Sequence, residues 1–233
     1  MYLLIPAAGI GKRMGGEQNK LLLTLWQKPL LVWTLQSAIA AEEIKWIGIL
    51  GQTHDFPAFR AIIEEYLPPD DVSKPIELIL GGNTRQESVF NGLQALPPQA
   101  ERVLIHDGAR CLATPNLFNR CALALTQTRG LIAAVPVKDT IKIVDQEGWI
   151  QDTPERQNLW AAQTPQGFVV SVLRECHSRG LAEGWQVTDD AALLERCGIP
   201  VQILLGEETN LKITTPIDLA IAEFILHQRF RDA

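Results

Sequence analysis

Along the chain, short apolar runs rich in branched residues alternate with longer stretches whose apolar positions recur at helical spacing. "YLLIPA", "IKWIGIL", "IELIL", "RVLIHD", "GLIAAVPV" and "PVQILL" read as strands. Most are apolar on both faces, as strands in a helix-covered parallel sheet are. Between them, "KPLLVWTLQSAIA", "FPAFRAIIEEYL", "TRQESVFNGLQAL", "TPNLFNRCALALTQT", "SVLRECHSRGLAEG" and "TPIDLAIAEFILHQ" carry helical spacing, and several open with Pro at or near the first turn. Strand alternating with helix predicts an α/β fold with a mainly parallel, twisted sheet and helices on both faces.

In that architecture ligands bind beyond the carboxyl ends of the strands, near a switch in strand order. The loops to inspect are therefore 8–20, 81–88, 106–111 and 206–212. The segment 137–160 departs from the pattern: "TIKIV", a turn at "DQEG", then "WIQD" have the character of a β-hairpin. It reads as an arm projecting from the sheet. A two-stranded ribbon is marginal alone, so either a partner subunit covers it or it packs on its own domain.

Composition narrows the class. A length of 233 residues with 46% hydrophobic and 21% charged residues fits one soluble domain spanning 1–233. No apolar run reaches the roughly 18 to 20 residues that cross a bilayer, and the opening "MYLLIPAAG" is broken by Pro6 and Gly9. A cytoplasmic protein without a membrane partner is the expectation. The net charge of -6 argues against nucleic acid as a partner. Cys111, Cys121, Cys176 and Cys197 lack the spacing of a zinc site or a disulfide scaffold and read as reduced, mostly buried thiols.

Against this acidic background the stretch "IPAAGIGKRMGGEQNK" is basic between Gly9 and Lys20, where Lys12, Arg13 and Lys20 outnumber Glu17. It fits neither the Walker loop nor the dinucleotide fingerprint, whose third glycine is replaced by Met14. What remains is a run of small residues, Ala7, Ala8, Gly9 and Gly11, whose amides can approach a polyphosphate while cations reach it from the side. The alternative is a tight strand-to-helix turn with solvated charges.

In "GGNTRQESVFNGL" two glycines precede a helix start at which Thr84 and Glu87 have the spacing of a capping box. "LIHDGAR" puts Asp107, able to hold a divalent ion or a ribose hydroxyl, close to Arg110, able to clamp a phosphate. The polar clusters "VKDTIK", "PERQNLWAAQTPQGF", "VTDDA" and "TNLKITTPIDL" are individually ordinary. No Ser-His-Asp order or H-E-x-x-H motif supports a hydrolase.

Taken in order, "PAAGIGKRM", "NK" with Lys20, "GGNTRQESVFNGL", "HDGAR", "VPVKDTIK", "ERQNLWAAQTPQGF", "TDDA" and "NLKITTPIDLAIAE" closely resemble the 2-C-methyl-D-erythritol 4-phosphate cytidylyltransferases of non-mevalonate isoprenoid biosynthesis. Ribitol-5-phosphate cytidylyltransferases share most of these motifs. The resemblance implies a Rossmann-like sheet, a homodimer joined through the arm, and transfer of cytidylyl from CTP to methylerythritol phosphate with Mg2+. It implies that Ala7, Ala8, Gly9, Gly11, Arg13 and Lys20 line the triphosphate and that Gly82, Asn83 and Ser88 hold the cytosine. Asp107 and Ala109 would sit by the ribose and metal. The acceptor would be held by Arg110, Thr140, Arg156, Thr164, Thr188 and Lys212, with Thr140, Arg156 and Thr164 supplied by the partner's arm. Arg13, Lys20 and Lys212 would carry catalysis. Gly108 and Cys111 depart from the Ala and Pro common in the family, Asn83 from an acid found in some members, and Ala191 from a frequent serine. "NKLLL" also departs from a polar or aromatic residue after the lysine.

Overall fold

The structure, a computed structural model, describes residues 1–9, 19–67 and 74–231; the expected ligands Gly11 and Arg13 lie outside the described residues. In chain order it contains β1 (Tyr2–Pro6), β2 (Thr24–Leu25), β3 (Lys28–Pro29), α1 (Leu30–Ala40), β4 (Trp46–Gly51) and α2 (Phe56–Tyr66). Then come β5 (Ile76–Leu80), α3 (Arg85–Ala95), β6 (Arg102–Ile105), α4 (Pro115–Ala124), β7 (Gly130–Pro136), β8 (Ile143–Val144) and β9 (Ile150–Asp152). The chain closes with β10 (Trp160–Val169), α5 (Val170–Ala182), α6 (Ala191–Arg196), β11 (Gln202–Leu205) and α7 (Pro216–Arg231).

Each apolar run named above forms a strand, and each helical stretch forms a helix. The central sheet has the order β11-β7-β10-β6-β1-β4-β5. All neighbours pair in parallel except β10, which runs antiparallel to both β6 and β7. From β1 the chain proceeds to β4 on one side and later to β6 on the other, so the switch in strand order falls at β1.

Alternation along each strand builds two cores. Leu3, Ile5, Ile47, Ile49 and Leu104 face α1, α2 and α4, meeting Leu31, Leu35, Phe59, Leu117 and Phe118. Leu4, Leu50, Val103, Ile105 and Phe168 face the other way, onto Val89 and Leu93 of α3 and Leu173 of α5. Fully burying such a side chain contributes about 1.5–3 kcal/mol, so both helical layers are strongly held to the sheet. A third cluster packs α7 against α1 and the loop after β6 through Ala222, Leu226, Leu30, Trp33 and Leu112.

The sequence reading missed β10, whose segment "WAAQTPQGFV" was expected among polar loops. Its Gln163, Thr164 and Gln166 are buried, which a strand tolerates only when each polar group finds a partner. Gln163 Nε2 donates to the Glu207 carbonyl and Gln166 Nε2 to the Asp189 carboxylate. The Thr164 hydroxyl lies 3.0 Å from His106 Nδ1. The pairing register with β7 shifts between Ala162 and Gln166, at the stretch that contains Pro165 and its missing N–H. The short helix α6 and the β2–β3 hairpin were also unforeseen.

The 137–160 segment forms a hairpin as expected: among the described residues β8 pairs with β9 alone, in antiparallel fashion. Its turn is at 145–148, where Gly148 takes φ +91° and the Asp145 carboxylate accepts from the amides of Glu147 and Trp149. Positive φ is a conformation in which a Cβ is disfavoured, so this turn is suited to glycine.

Candidate active site

The loops after β1, β5 and β6 meet at the carboxyl edge of the sheet around a cleft of about 190 Å³. Its walls include Ala7, Ala8, Gly9, Lys20, Gly82, Asn83, Ser88, Asp107, Ala109 and Lys212. These are residues from four loops far apart in sequence, each delivered by a strand end. Lys212 follows β11 at the opposite end of the sheet, and it reaches the cleft because the chain doubles back. The Ile213 amide donates to the Ala109 carbonyl at 2.8 Å, and the buried Asn210 donates to the Thr164 carbonyl at 2.8 Å.

At the wall that follows β5, Thr84 caps α3 by accepting from the Glu87 amide at 3.0 Å. The reciprocal half of the expected capping box is displaced by one residue: the Glu87 carboxylate accepts from the Asn83 amide at 2.8 Å. Ser88 Oγ accepts from the Gly82 amide at 3.0 Å, and Gln52 Nε2 donates to the Gly82 carbonyl at 2.9 Å. A Cβ on Gly82 would stand 2.3 Å from Glu87 Cβ, so a side chain there would break this packing. The loop is thereby fixed with the positive end of α3 at the cleft.

Asp107 is the acid that lines the cleft among the described residues. Its Oδ2 lies 2.7 Å from Lys212 Nζ and its Oδ1 3.3 Å from Arg85 Nε. Burial pushes its pKa up, but Arg85, Lys212 and Arg110 outweigh that effect and hold the carboxyl well below the usual range. It is therefore an anion at neutral pH. Arg85 continues the chain of charge, with Nη1 2.7 Å from Oδ2 of the fully buried Asp190. His177 Nε2 lies 3.4 Å from the other Asp190 oxygen without hydrogen-bond alignment.

Behind Asp107, His106 is buried and satisfied: its Nε2 lies 3.1 Å from the Arg110 carbonyl and its Nδ1 meets Thr164. Burial lowers its pKa to about 4, leaving a neutral ring whose two nitrogens are already engaged. Such a histidine braces the loop and is unsuited to act as a base.

Not every expected ligand gathers here. Arg110 turns its guanidinium toward the carbonyls of Asn210 and Ala162, at 2.8 and 3.2 Å. Thr164 is not on the arm. It lies inside β10, 4% exposed, and its hydroxyl accepts from the Asp107 amide at 3.0 Å. The expectation that a partner's arm supplies Thr164 is corrected accordingly, because this hydroxyl is committed to its own chain's loop. Thr140, Arg156 and Thr188 are exposed and do not line the cleft. Arg156 Nη1 donates to the Lys138 carbonyl at 2.7 Å, across the base of the arm.

Sequence reasoning passed over Arg85 and Asn19. Arg85 precedes Ser88 by three residues on α3, so helical spacing from a candidate ligand was the available signal. Asn19 had no comparable signal. Gly108 and Leu21, two departures noted above, prove to be neighbours: a Cβ on Gly108 would lie 2.7 Å from Leu21 Cδ1. Leu21 thus fills the space that a methyl at position 108 would take.

A mostly parallel sheet whose carboxyl edge gathers a small-residue turn, a helix N-terminus, two lysines and one carboxylate into a single cleft has the layout of an α/β nucleotide-binding protein. The comparisons specify which kind. The family model described as IspD, 2-C-methyl-D-erythritol 4-phosphate cytidylyltransferase, matches residues 1–228, and the chain belongs to that family. A Synechocystis protein of that name is 67% identical over 229 residues, covering 98% of each chain. A Microcystis aeruginosa protein of the same name is also 67% identical, over 98% of this chain and 100% of its own. Among solved structures, 4-diphosphocytidyl-2C-methyl-D-erythritol synthase of Anaerococcus prevotii superposes with a TM-score of 0.85 at 33% identity, covering 97% of both chains. The Thermus thermophilus cytidylyltransferase gives 0.74 at 32%, over 97% of this chain and 98% of its own.

Proposed function

We propose that this chain joins CTP and 2-C-methyl-D-erythritol 4-phosphate into 4-CDP-2-C-methyl-D-erythritol and pyrophosphate. A phosphate oxygen of the acceptor attacks the α-phosphorus in line. The new P–O bond forms as the bond from the α-phosphorus to the bridging oxygen breaks, and that electron pair leaves with pyrophosphate. The observation that carries the reading is the approach of Lys20 and Lys212 to one cleft that also holds the α3 N-terminus and Asp107.

The acceptor phosphate is already largely a dianion near neutral pH, so the reaction needs no base. Its barrier lies in bringing one anion against another, which calls for cations and alignment. Lys20, Lys212 and Arg13 are the residues we assign to that task. The triphosphate would lie along Ala7, Ala8, Gly9 and Gly11, the base against Gly82, Asn83 and Ser88, and the ribose by Asp107 and Ala109. Arg110, Thr140, Arg156, Thr188 and Lys212 would hold the acceptor, with Thr164 bracing the loop beneath it.

Asp107 also fits a place beside Mg2+. That ion is commonly held by one or two carboxylates together with substrate phosphates, and Asp107 stays ionised at the ribose side of the cleft. No group of three or more His, Cys, Asp or Glu suited to a metal occurs among the described residues, so most of the coordination would come from the triphosphate and water. Bound there, the ion would neutralise phosphate charge.

The arm supports a homodimer. Trp149, Ile150, Ile143 and Val144 stand exposed on the hairpin, and Thr140 and Arg156 would enter the site of a second copy. One domain with a projecting arm then makes half of two sites. No helix among the described residues is long and apolar enough to cross a membrane. The cytoplasmic reading rests on the composition and on free thiols, of which Cys111, Cys121 and Cys176 are buried.

Pyrophosphate release with CTP, Mg2+ and each of two acceptors tests the assignment. Turnover with methylerythritol phosphate and little with ribitol 5-phosphate is expected. The reverse preference would transfer the assignment to the ribitol enzyme, and CTP binding without turnover would indicate a silent nucleotide-binding module.

A further inference from the structure

Lys20 lies on a three-residue 3-10 turn, Lys20–Leu22, and its Nζ donates to the Ile213 carbonyl at 3.3 Å, so where the lysine's head sits depends on where this short turn holds its backbone. The residue before it, Asn19, is 6% exposed and uses three of the four hydrogen-bonding positions of its side-chain amide, both donors among them. Its Nδ2 donates to the Ala7 carbonyl at 2.6 Å and to Asp55 Oδ2 at 2.8 Å, and its Oδ1 accepts from the Leu21 amide at 3.0 Å. Ala7 is itself tied to β4, its amide donating to the Leu50 carbonyl at 2.8 Å. Asp55, 5% exposed, sits on the 3-10 turn Thr53–Asp55 that follows β4.

We infer that Asn19, held by Asp55, is a positioning residue for the reaction: it fixes the backbone that carries Lys20 relative to the small-residue wall at Ala7. The inference rests on the reading of Lys20 as the cation at the triphosphate. One buried amide joins three segments, the end of β1, the turn after β4 and the start of the lysine turn. Because Asn19 adjoins Lys20, rotation or slippage of the amide moves the lysine's anchor directly. Asp55 supplies the acceptor that keeps Nδ2 from turning away from Ala7. A displacement of about 1 Å in such a group costs up to about 100-fold in rate, while CTP would keep its base contacts at Gly82 and Ser88.

The test is a double-mutant cycle in the full-length protein, read as kcat and KM for both substrates together with the thermal midpoint. Asn19→Ala should lower kcat by about tenfold or more, with a change of no more than about threefold in either KM. In a Lys20→Ala background the same substitution should lower kcat by less than about twofold, because the group it positions is gone. Asp55→Ala should behave in the same non-additive way, and Asp55→Asn, which keeps an oxygen for Nδ2, should lose less than Asp55→Ala. These Asp55 variants carry the test if Asn19→Ala does not fold. Equal losses in both backgrounds, or no loss of kcat, would overturn the inference by making the amide a purely structural brace. Near-normal turnover of Lys20→Ala alone would instead refute the reading of Lys20, and the inference with it.

Discussion

Around the cleft, Asp107 is held by Arg85 and Lys212, and Arg85 in turn by the buried Asp190. On the arm, Trp149 and Ile150 are 70% and 61% exposed, and among the described residues β8 and β9 pair only with each other. The first region has its geometry fixed by its own chain before any ligand arrives. The second leaves large apolar side chains exposed on a two-stranded ribbon. The proposed function divides the labour along that line: nucleotide handling and charge stabilisation are assigned to one chain, and acceptor capture is assigned to two.

The largest expected effect separates the two regions by stability. Asp190→Ala removes the closest anion of the half-buried Arg85, which keeps only Asp107, and should cost about 2–3 kcal/mol of unfolding free energy, measurable by urea denaturation. The same carboxylate sets a pH dependence. Burial raises its pKa, but Arg85 and His177 together hold it below the ordinary value. Its contribution is therefore fully present above the unfolded value of about 4 and is lost as pH falls below that toward the depressed folded value. Asp190→Asn should weaken that part of the acid sensitivity; an unchanged acid profile would show that the pair is not responsible.

An intermediate effect is expected from the arm. Arg156→Ala should raise the acceptor's KM about tenfold, equivalent to about 1.4 kcal/mol, while leaving the CTP KM nearly unchanged. A loss confined to kcat would place Arg156 with the charge-stabilising groups and erase the proposed division. The smallest effect on folding should come from Trp149→Ser. It should alter the unfolding free energy of the monomer by no more than about 0.5 kcal/mol and weaken self-association in sedimentation experiments. Unchanged association would remove the arm from the dimer interface.

Legibility in the sequence followed the same physical boundary. The parallel strands and their helices were readable because apolar periodicity is local, and the cleft-lining residues Ala7, Gly82, Asp107 and Lys212 because each follows a strand. β10 was not, because its buried Gln163, Thr164 and Gln166 look like loop residues until their partners are known. Gln163 meets Glu207, and Gln166 meets Asp189. Arg85 and Asn19 escaped notice for the same reason: their carboxylate partners Asp190 and Asp55 lie 105 and 36 positions away in sequence. Pattern reveals which residues reach an edge of the sheet, whereas long-range polar pairing decides which of them are held there.

The central claim is that cations in the cleft carry catalysis without a base. Steady-state pyrophosphate release by Lys20→Ala at saturating acceptor, with CTP affinity measured in parallel, tests it most directly. The account predicts at least about a 100-fold fall in kcat, on the order of 3 kcal/mol of transition-state stabilisation, with a smaller loss of CTP affinity. Near-normal turnover, or a loss expressed entirely as weaker CTP binding, would contradict it.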